Sequence, residues 1–185
     1  KITLSMCLAD AGIVRVTYFP GAVPEDEPSY AVSPGYSAPG AEIREYDEDG
    51  VHVVETSLLR IRIRTEEQKV DFYDVATDEP LLTDEGGFGR ESKDWTGDAR
   101  VWIRKNLQET EHFFGLGDKP CALNLRGKYF SMWGADHYDF HEESDPLYKS
   151  IPFFLSLRER KAYGLLFDNT CRSYFDFGAT DEKVL

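Results

Sequence analysis

Leu59-Arg60-Ile61-Arg62-Ile63-Arg64 alternates an aliphatic residue with an arginine for six positions. An extended strand points successive side chains to opposite faces, so it sorts this segment into one apolar and one charged face. A helix, with its period of 3.6, would scatter both sets around its surface. The same period of two recurs upstream, where Val14, Val16 and Tyr18 alternate with Ile13, Arg15 and Thr17. Downstream it returns in Val70 and Phe72, Val101 and Ile103, Phe153, Leu155 and Leu157, then Tyr163, Leu165 and Phe167, and last Phe175 and Phe177. Turn residues punctuate these runs at Asp49-Gly50, Asp78-Glu79-Pro80, Gly86-Gly87 and Glu159-Arg160-Lys161. Only Leu107 to Glu111 offers a helical turn or two. Many short strands and almost no helix predict an all-β sandwich or barrel. The stretch from Pro20 to Pro39 holds five prolines and suits a surface loop or an edge strand, because proline cannot donate to a ladder.

The 185 residues are enough for one substantial core, burying roughly 70% of the unfolded surface. They are too few for a (β/α)8 barrel, which needs about 250 residues. Acidic residues outnumber basic ones by 34 to 21, for a formal charge of -13. That field repels phosphate backbones and argues against nucleic-acid binding. No apolar run reaches the length of a membrane span. Cys7, Cys121 and Cys171 are widely spaced and odd in number, which suggests buried or idle thiols rather than a disulfide framework or a zinc site. The chain opens on Lys1 and carries no Asn-x-Ser/Thr sequon, so a cytoplasmic location is expected unless a leader has been removed.

Familiar site motifs fail. Gly115-Leu116-Gly117 and Gly87-Phe88-Gly89 lack the third glycine and the strand-to-helix setting of a dinucleotide site. His137 and His141 have the spacing of two zinc ligands on a helix, but Gly134, Ser144 and Pro146 around them argue against a helix. No cofactor or metal is expected. The segment from Met132 to Tyr148 is different in kind, since it mixes Trp133, Tyr138, Phe140 and Tyr148 with Asp136, Asp139, Glu142, Glu143 and Asp145. Aromatic faces cover the C–H face of a sugar and carboxylates accept from its hydroxyls, so this is a candidate ligand-contacting loop. The alternative is that the rings enter the core and the acids are simply solvated. No spacing fixes a catalytic carboxylate pair, which for retaining glycosidases lies about 5–5.5 Å apart.

An ordered series carries a family resemblance. It runs Phe113-Phe114-Gly115-Leu116-Gly117-Asp118, Arg126-Gly127-Lys128, Met132-Trp133-Gly134-Ala135-Asp136, the unbroken Asp145 to Phe153 (Asp-Pro-Leu-Tyr-Lys-Ser-Ile-Pro-Phe), Phe167-Asp168-Asn169, and Phe175-Asp176-Phe177-Gly178. Together these resemble the N-terminal β-sandwich of glycoside hydrolase family 31, the α-glucosidase and α-xylosidase family. The upstream half agrees more loosely, through Arg15-Val16, Pro28 to Val32 and Phe72-Tyr73-Asp74. The chain departs from the family pattern at Gly134, where Asn is common.

The resemblance implies a galactose-mutarotase-like β-sandwich spanning residues 1–185, packed against a catalytic (β/α)8 barrel that this chain lacks. It implies hydrolysis of α-glycosidic bonds with retention, by two aspartates that belong to the barrel. No catalytic residue is therefore assigned here, and the chain alone is expected to be inactive. It also implies that a sandwich loop lends an aspartate to the leaving-group side of the substrate site. Asp136 matches that position; Trp133 and Tyr138, rings of the same loop, are the substrate contacts that its composition adds. The expected partners are the barrel, docked on an exposed apolar face, and an α-linked oligosaccharide. Two rival readings are a free-standing carbohydrate-binding module and an aldose 1-epimerase-like enzyme.

Overall fold

The computed structural model describes residues 2–19, 21–23, 29–33, 35–36, 39–91 and 100–185. Contacts divide the chain into two compact units, Lys1–Lys105 and Asn106–Leu185. Among the described residues there are fourteen strands and no helix, so the all-β fold class holds.

In the first unit, β1 (Thr3–Asp10) pairs antiparallel with β2 (Ile13–Phe19). A five-stranded antiparallel sheet follows in sequence order: β3 (Arg44–Glu48), β4 (Val51–Glu55), β5 (Leu59–Arg64), β6 (Lys69–Asp74) and β7 (Pro80–Leu82). The arginine-alternating segment is β5. Its Ile61 and Ile63 join Val54 and Val70 in a buried cluster, against which Leu4, Met6, Leu8, Val14 and Val16 pack. Asp49-Gly50 makes the β3–β4 hairpin turn with both residues at positive φ. Arg60 crosses from β5 to Glu55 at 2.5 Å, and this hydrogen bond holds the Glu55 carboxyl below the usual carboxylate range.

Strands β8 (Asp84–Glu91) and β9 (Arg100–Lys105) form a separate pair. Gly86-Gly87, read from sequence as a turn, instead lies inside β8 at a register shift between Asp84 and Gly87. Gly87 has φ +68, and a Cβ there would meet the Glu67 carbonyl oxygen at 2.6 Å, so a bulge needs glycine as much as a turn does. Two buried carboxylates tie the unit together. Asp84 accepts from the Val70 N–H at 2.6 Å and faces the Lys105 ammonium, while Asp71 accepts from the Asp84 N–H at 2.7 Å and pairs with Arg64 at 2.7 Å. Burial, helped by these two carboxylates, pushes the Tyr18 phenol well above its usual range.

In the second unit, β10 (His112–Gly117), β12 (Ser150–Arg158) and β13 (Lys161–Leu166) form an antiparallel sheet with β12 central. Strands β11 (Tyr129–Met132) and β14 (Ser173–Asp176) form a second layer. Between the layers lie Phe113, Leu116, Leu125, Phe130, Met132, Phe154, Phe175 and Phe177. Gly115 lets β10 approach β12 closely, since a Cβ on it would meet the Phe153 carbonyl oxygen at 2.6 Å. Leu107 to Glu111 is a single turn, closed by the Glu111 N–H on the Gln108 carbonyl at 3.2 Å, and does not extend to a helix.

The central strand is apolar on both sides. Phe154 faces the core, while Ile151, Phe153, Leu155 and Leu157 point the other way and are between 38% and 51% exposed. Leu166 of β13 pairs with Phe153 and extends that outward apolar face. The cysteines are free thiols, with Cys7 and Cys171 exposed and Cys121 half-buried. Of the proline-rich stretch, Pro20, Pro24, Pro28 and Pro34 lie outside the described residues, and the described residues there form no strand.

Candidate functional site

The loop between Met132, the last residue of β11, and Ser150, the first of β12, is built from its base upward. Lys119, only 2% exposed, reaches the Ser131 carbonyl at 2.9 Å and the Asp145 carboxylate. The other oxygen of Asp145 accepts from the Ser131 N–H. One buried ammonium thus joins the end of β11 to the returning limb of the loop. Above this clamp, the Ala135 N–H donates to the Leu147 carbonyl at 3.1 Å, and Leu147 itself is buried. The far end is turned by His141 and Ser144, through the His141 N–H on Ser144 Oγ at 3.0 Å and the Ser144 N–H on the His141 carbonyl at 3.1 Å. The Glu143 N–H reaches the Pro120 carbonyl at 2.9 Å. His137 and His141 therefore sit on an exposed loop rather than on one helix face, and His141 Nδ1 contacts the Glu142 carbonyl at 2.7 Å.

The rings of this loop do not enter the core. Trp133, Tyr138, Phe140 and Tyr148 are all exposed, Tyr138 completely. The Asp136 carboxylate is exposed as well and meets no partner among the described residues. Trp133 has the Arg172 guanidinium over its ring at 5.9 Å, and the same cation lies 5.9 Å from the Tyr174 ring. Beside Trp133 is an open depression of about 340 Å³ whose lining includes Met132, Gly134, Ser150, Pro152, Asn169 and Thr170. That volume is at the lower end for small-ligand sites, which run about 300–1,000 Å³. Ser150, one of the lining residues, has its own Oγ buried and without a hydrogen-bond partner among the described residues. Of the three residues singled out from sequence, Trp133 lines the depression, while Asp136 and Tyr138 stand farther along the loop and do not. Asn169 enters the sequence analysis only as part of the Phe167-Asp168-Asn169 motif, and Arg172 not at all, because no local pattern places either beside Trp133.

The buried carboxylates Asp71, Asp84 and Glu111 are held by neighbouring donors and cations. Asp71 is engaged through both oxygens, while Asp84 accepts from the Val70 N–H through one oxygen and through the other faces the Lys105 ammonium as an ion pair without a hydrogen bond. Glu111, at 2% exposure, accepts from Ser156 Oγ at 2.5 Å and the Tyr163 hydroxyl at 2.8 Å through one oxygen, and from the Gln108 N–H at 3.1 Å through the other. Burial first, and then the Glu111 charge, push the Tyr163 phenol far above its usual range. A carboxylate fully engaged by fixed donors is a structural tie rather than a proton shuttle.

Antiparallel sheets throughout, packed on a Val/Ile cluster in the first unit and a phenylalanine-rich core in the second, put the chain in the β-sandwich class. Residues 3–176 match the family model described as the glycosyl hydrolase 31 N-terminal galactose mutarotase-like domain, and the chain belongs to that family. Over 96 residues it is 42% identical to alpha-glucosidase 2 of Bacillus thermoamyloliquefaciens, a match covering 51% of this chain and 12% of that protein. Over 87 residues it is 34% identical to an alpha-glucosidase of Saccharolobus solfataricus, covering 46% of this chain and 13% of that one. Among solved structures, a mutant of the family 31 dextranase of Flavobacterium johnsoniae, complexed with isomaltotriose, matches with a TM-score of 0.80 at 30% identity. That match covers 99% of this chain and 21% of the dextranase. The chain thus spans a small part of each relative's length.

Proposed function

We propose that this chain is the N-terminal sandwich of a retaining α-glycosidase, in the first instance an α-glucosidase. It braces a catalytic (β/α)8 barrel of the same polypeptide and lends the loop around Asp136 to the substrate site. The observation that carries this reading is the loop itself: an exposed, unpartnered carboxylate among exposed rings, on a base locked by a buried lysine. The relatives' names support an α-glucosidase, and the outward apolar face of β12 and β13 supports a docked neighbour. The nucleophile and acid/base would then come from the barrel, as the family resemblance implies.

In this role Asp136 accepts hydrogen bonds from hydroxyls of the leaving-group sugar, fixing its orientation without breaking bonds. The rings of Trp133 and Tyr138 cover C–H faces of the oligosaccharide. A hydrogen bond to a charged group contributes about 1.5–3 kcal/mol, or roughly ten- to a hundredfold in kcat/KM. In the full-length enzyme, Asp136→Ala is expected to lower kcat/KM for an α-linked disaccharide by that factor relative to an aryl α-glucoside, whose leaving group has no sugar hydroxyls. Equal losses on both substrates, or no loss, would contradict the role. An epimerase needs a histidine and a carboxylate converging in one pocket. The depression beside Trp133 is lined by neither.

A further inference from the structure

We infer that Tyr148 is a positioning residue for Asp136, an inference that rests on the substrate role proposed above for that loop. Asp136 stands between two backbone ties. On one side, the Ala135 N–H is bonded to the Leu147 carbonyl at 3.1 Å. On the other, the Tyr148 hydroxyl donates to the His137 carbonyl. The two anchors are consecutive residues of the returning limb, and the first of them is buried. The Tyr148 ring is itself held from the far end of the loop by Phe140, edge-on at 6.4 Å between centroids. An aspartate flanked in this way keeps its backbone fixed while its carboxylate stays in solvent.

The consequence lies in binding rather than in folding. A loop that must be ordered when substrate arrives pays that entropy out of the binding energy; one already ordered does not. The atom that matters is the Tyr148 hydroxyl oxygen. Tyr148→Phe keeps the ring against Phe140 but releases the His137 carbonyl, so one of the two ties on Asp136 is lost. Tyr148 touches no reacting atom in this account; it acts only through the carboxylate that it steadies.

The test is a double-mutant cycle in the full-length enzyme, with Tyr148→Phe, Asp136→Ala and both together. The readout is the ratio of kcat/KM for an α-linked disaccharide to that for an aryl α-glucoside. Tyr148→Phe alone is expected to lower the ratio by roughly three- to tenfold, the size of one neutral hydrogen bond. In the Asp136→Ala background the same substitution is expected to change nothing further, because a residue acting through another is non-additive with it. If Tyr148→Phe leaves the ratio intact while Asp136→Ala lowers it, the positioning role is wrong and the substrate role stands. If Tyr148→Phe lowers the ratio equally in both backgrounds, Tyr148 acts by another route and the inference is overturned. If Asp136→Ala itself leaves the ratio unchanged, the substrate role falls and takes the inference with it.

Discussion

Phe154→Ala is expected to remove about 3–5 kcal/mol of stability, the cost of deleting a fully buried aromatic ring. Phe154 is 0% exposed and central to the phenylalanine cluster. Its ring meets Phe177 at 5.2 Å and 88°, Phe113 at 5.7 Å and 77°, and Phe175 at 6.1 Å and 84°, each an edge-to-face contact. These rings come from both layers of the Asn106–Leu185 unit, so the gap cannot close by moving one strand. Against a domain's net stability of about 5–15 kcal/mol that is a large share, and the urea midpoint should fall accordingly. Urea denaturation followed by tryptophan fluorescence measures the shift. Phe153→Ala, one residue away on the outward face, is the internal control and should cost far less in this chain. A loss at Phe154 as small as that at Phe153 would mean that the core has been assigned to the wrong face of β12.

Lys119→Met is expected to have the second largest effect, and to act on both stability and the loop. The ammonium is almost fully buried and satisfies the Ser131 carbonyl and the Asp145 carboxylate together. Breaking a buried pair by removing one partner costs about 3–5 kcal/mol, because the other charge is left desolvated. Asp145 retains 19% exposure and its bond from the Ser131 N–H, so water offsets part of the loss and on the order of 2–3 kcal/mol is expected. Methionine keeps the packing of the stem against Phe130, whose ring lies 5.4 Å from the ammonium. Protease cleavage between Trp133 and Lys149 should quicken along with the drop in melting temperature. A variant that melts earlier but is cut no faster would show that the clamp supports the core and not the loop.

How much could be read from sequence follows from what each signal measures. Period-two alternation decides strand from helix, and in β5 it also decides the face, because arginine cannot share the side of Ile61 and Ile63. In β12 every residue from Ile151 to Leu155 is apolar, so over that run periodicity does not say which side is buried. Phe153, Leu155 and Leu157 form the outward set. The pair Gly86-Gly87 reads the same whether it closes a turn or opens a bulge, since both need positive φ, and only the pairing with β9 separates them. For the candidate site, composition marks the whole loop from Met132 to Tyr148, because acids and rings together are unusual in a plain surface loop, and only the family resemblance singles out Asp136 among its acids. The bond from Tyr148 to His137 and the placement of Arg172 over Trp133 depend on how the limbs of the fold return. No local pattern encodes such contacts.

The central claim is that glycosidic chemistry lies outside this chain, which supplies support and one acidic loop. Its most direct test is to assay the purified chain of residues 1–185 and the full-length enzyme side by side on an aryl α-glucoside. The account predicts turnover by the full-length enzyme and none above buffer by residues 1–185. Saturable turnover by the 185-residue chain, surviving repurification, would contradict it.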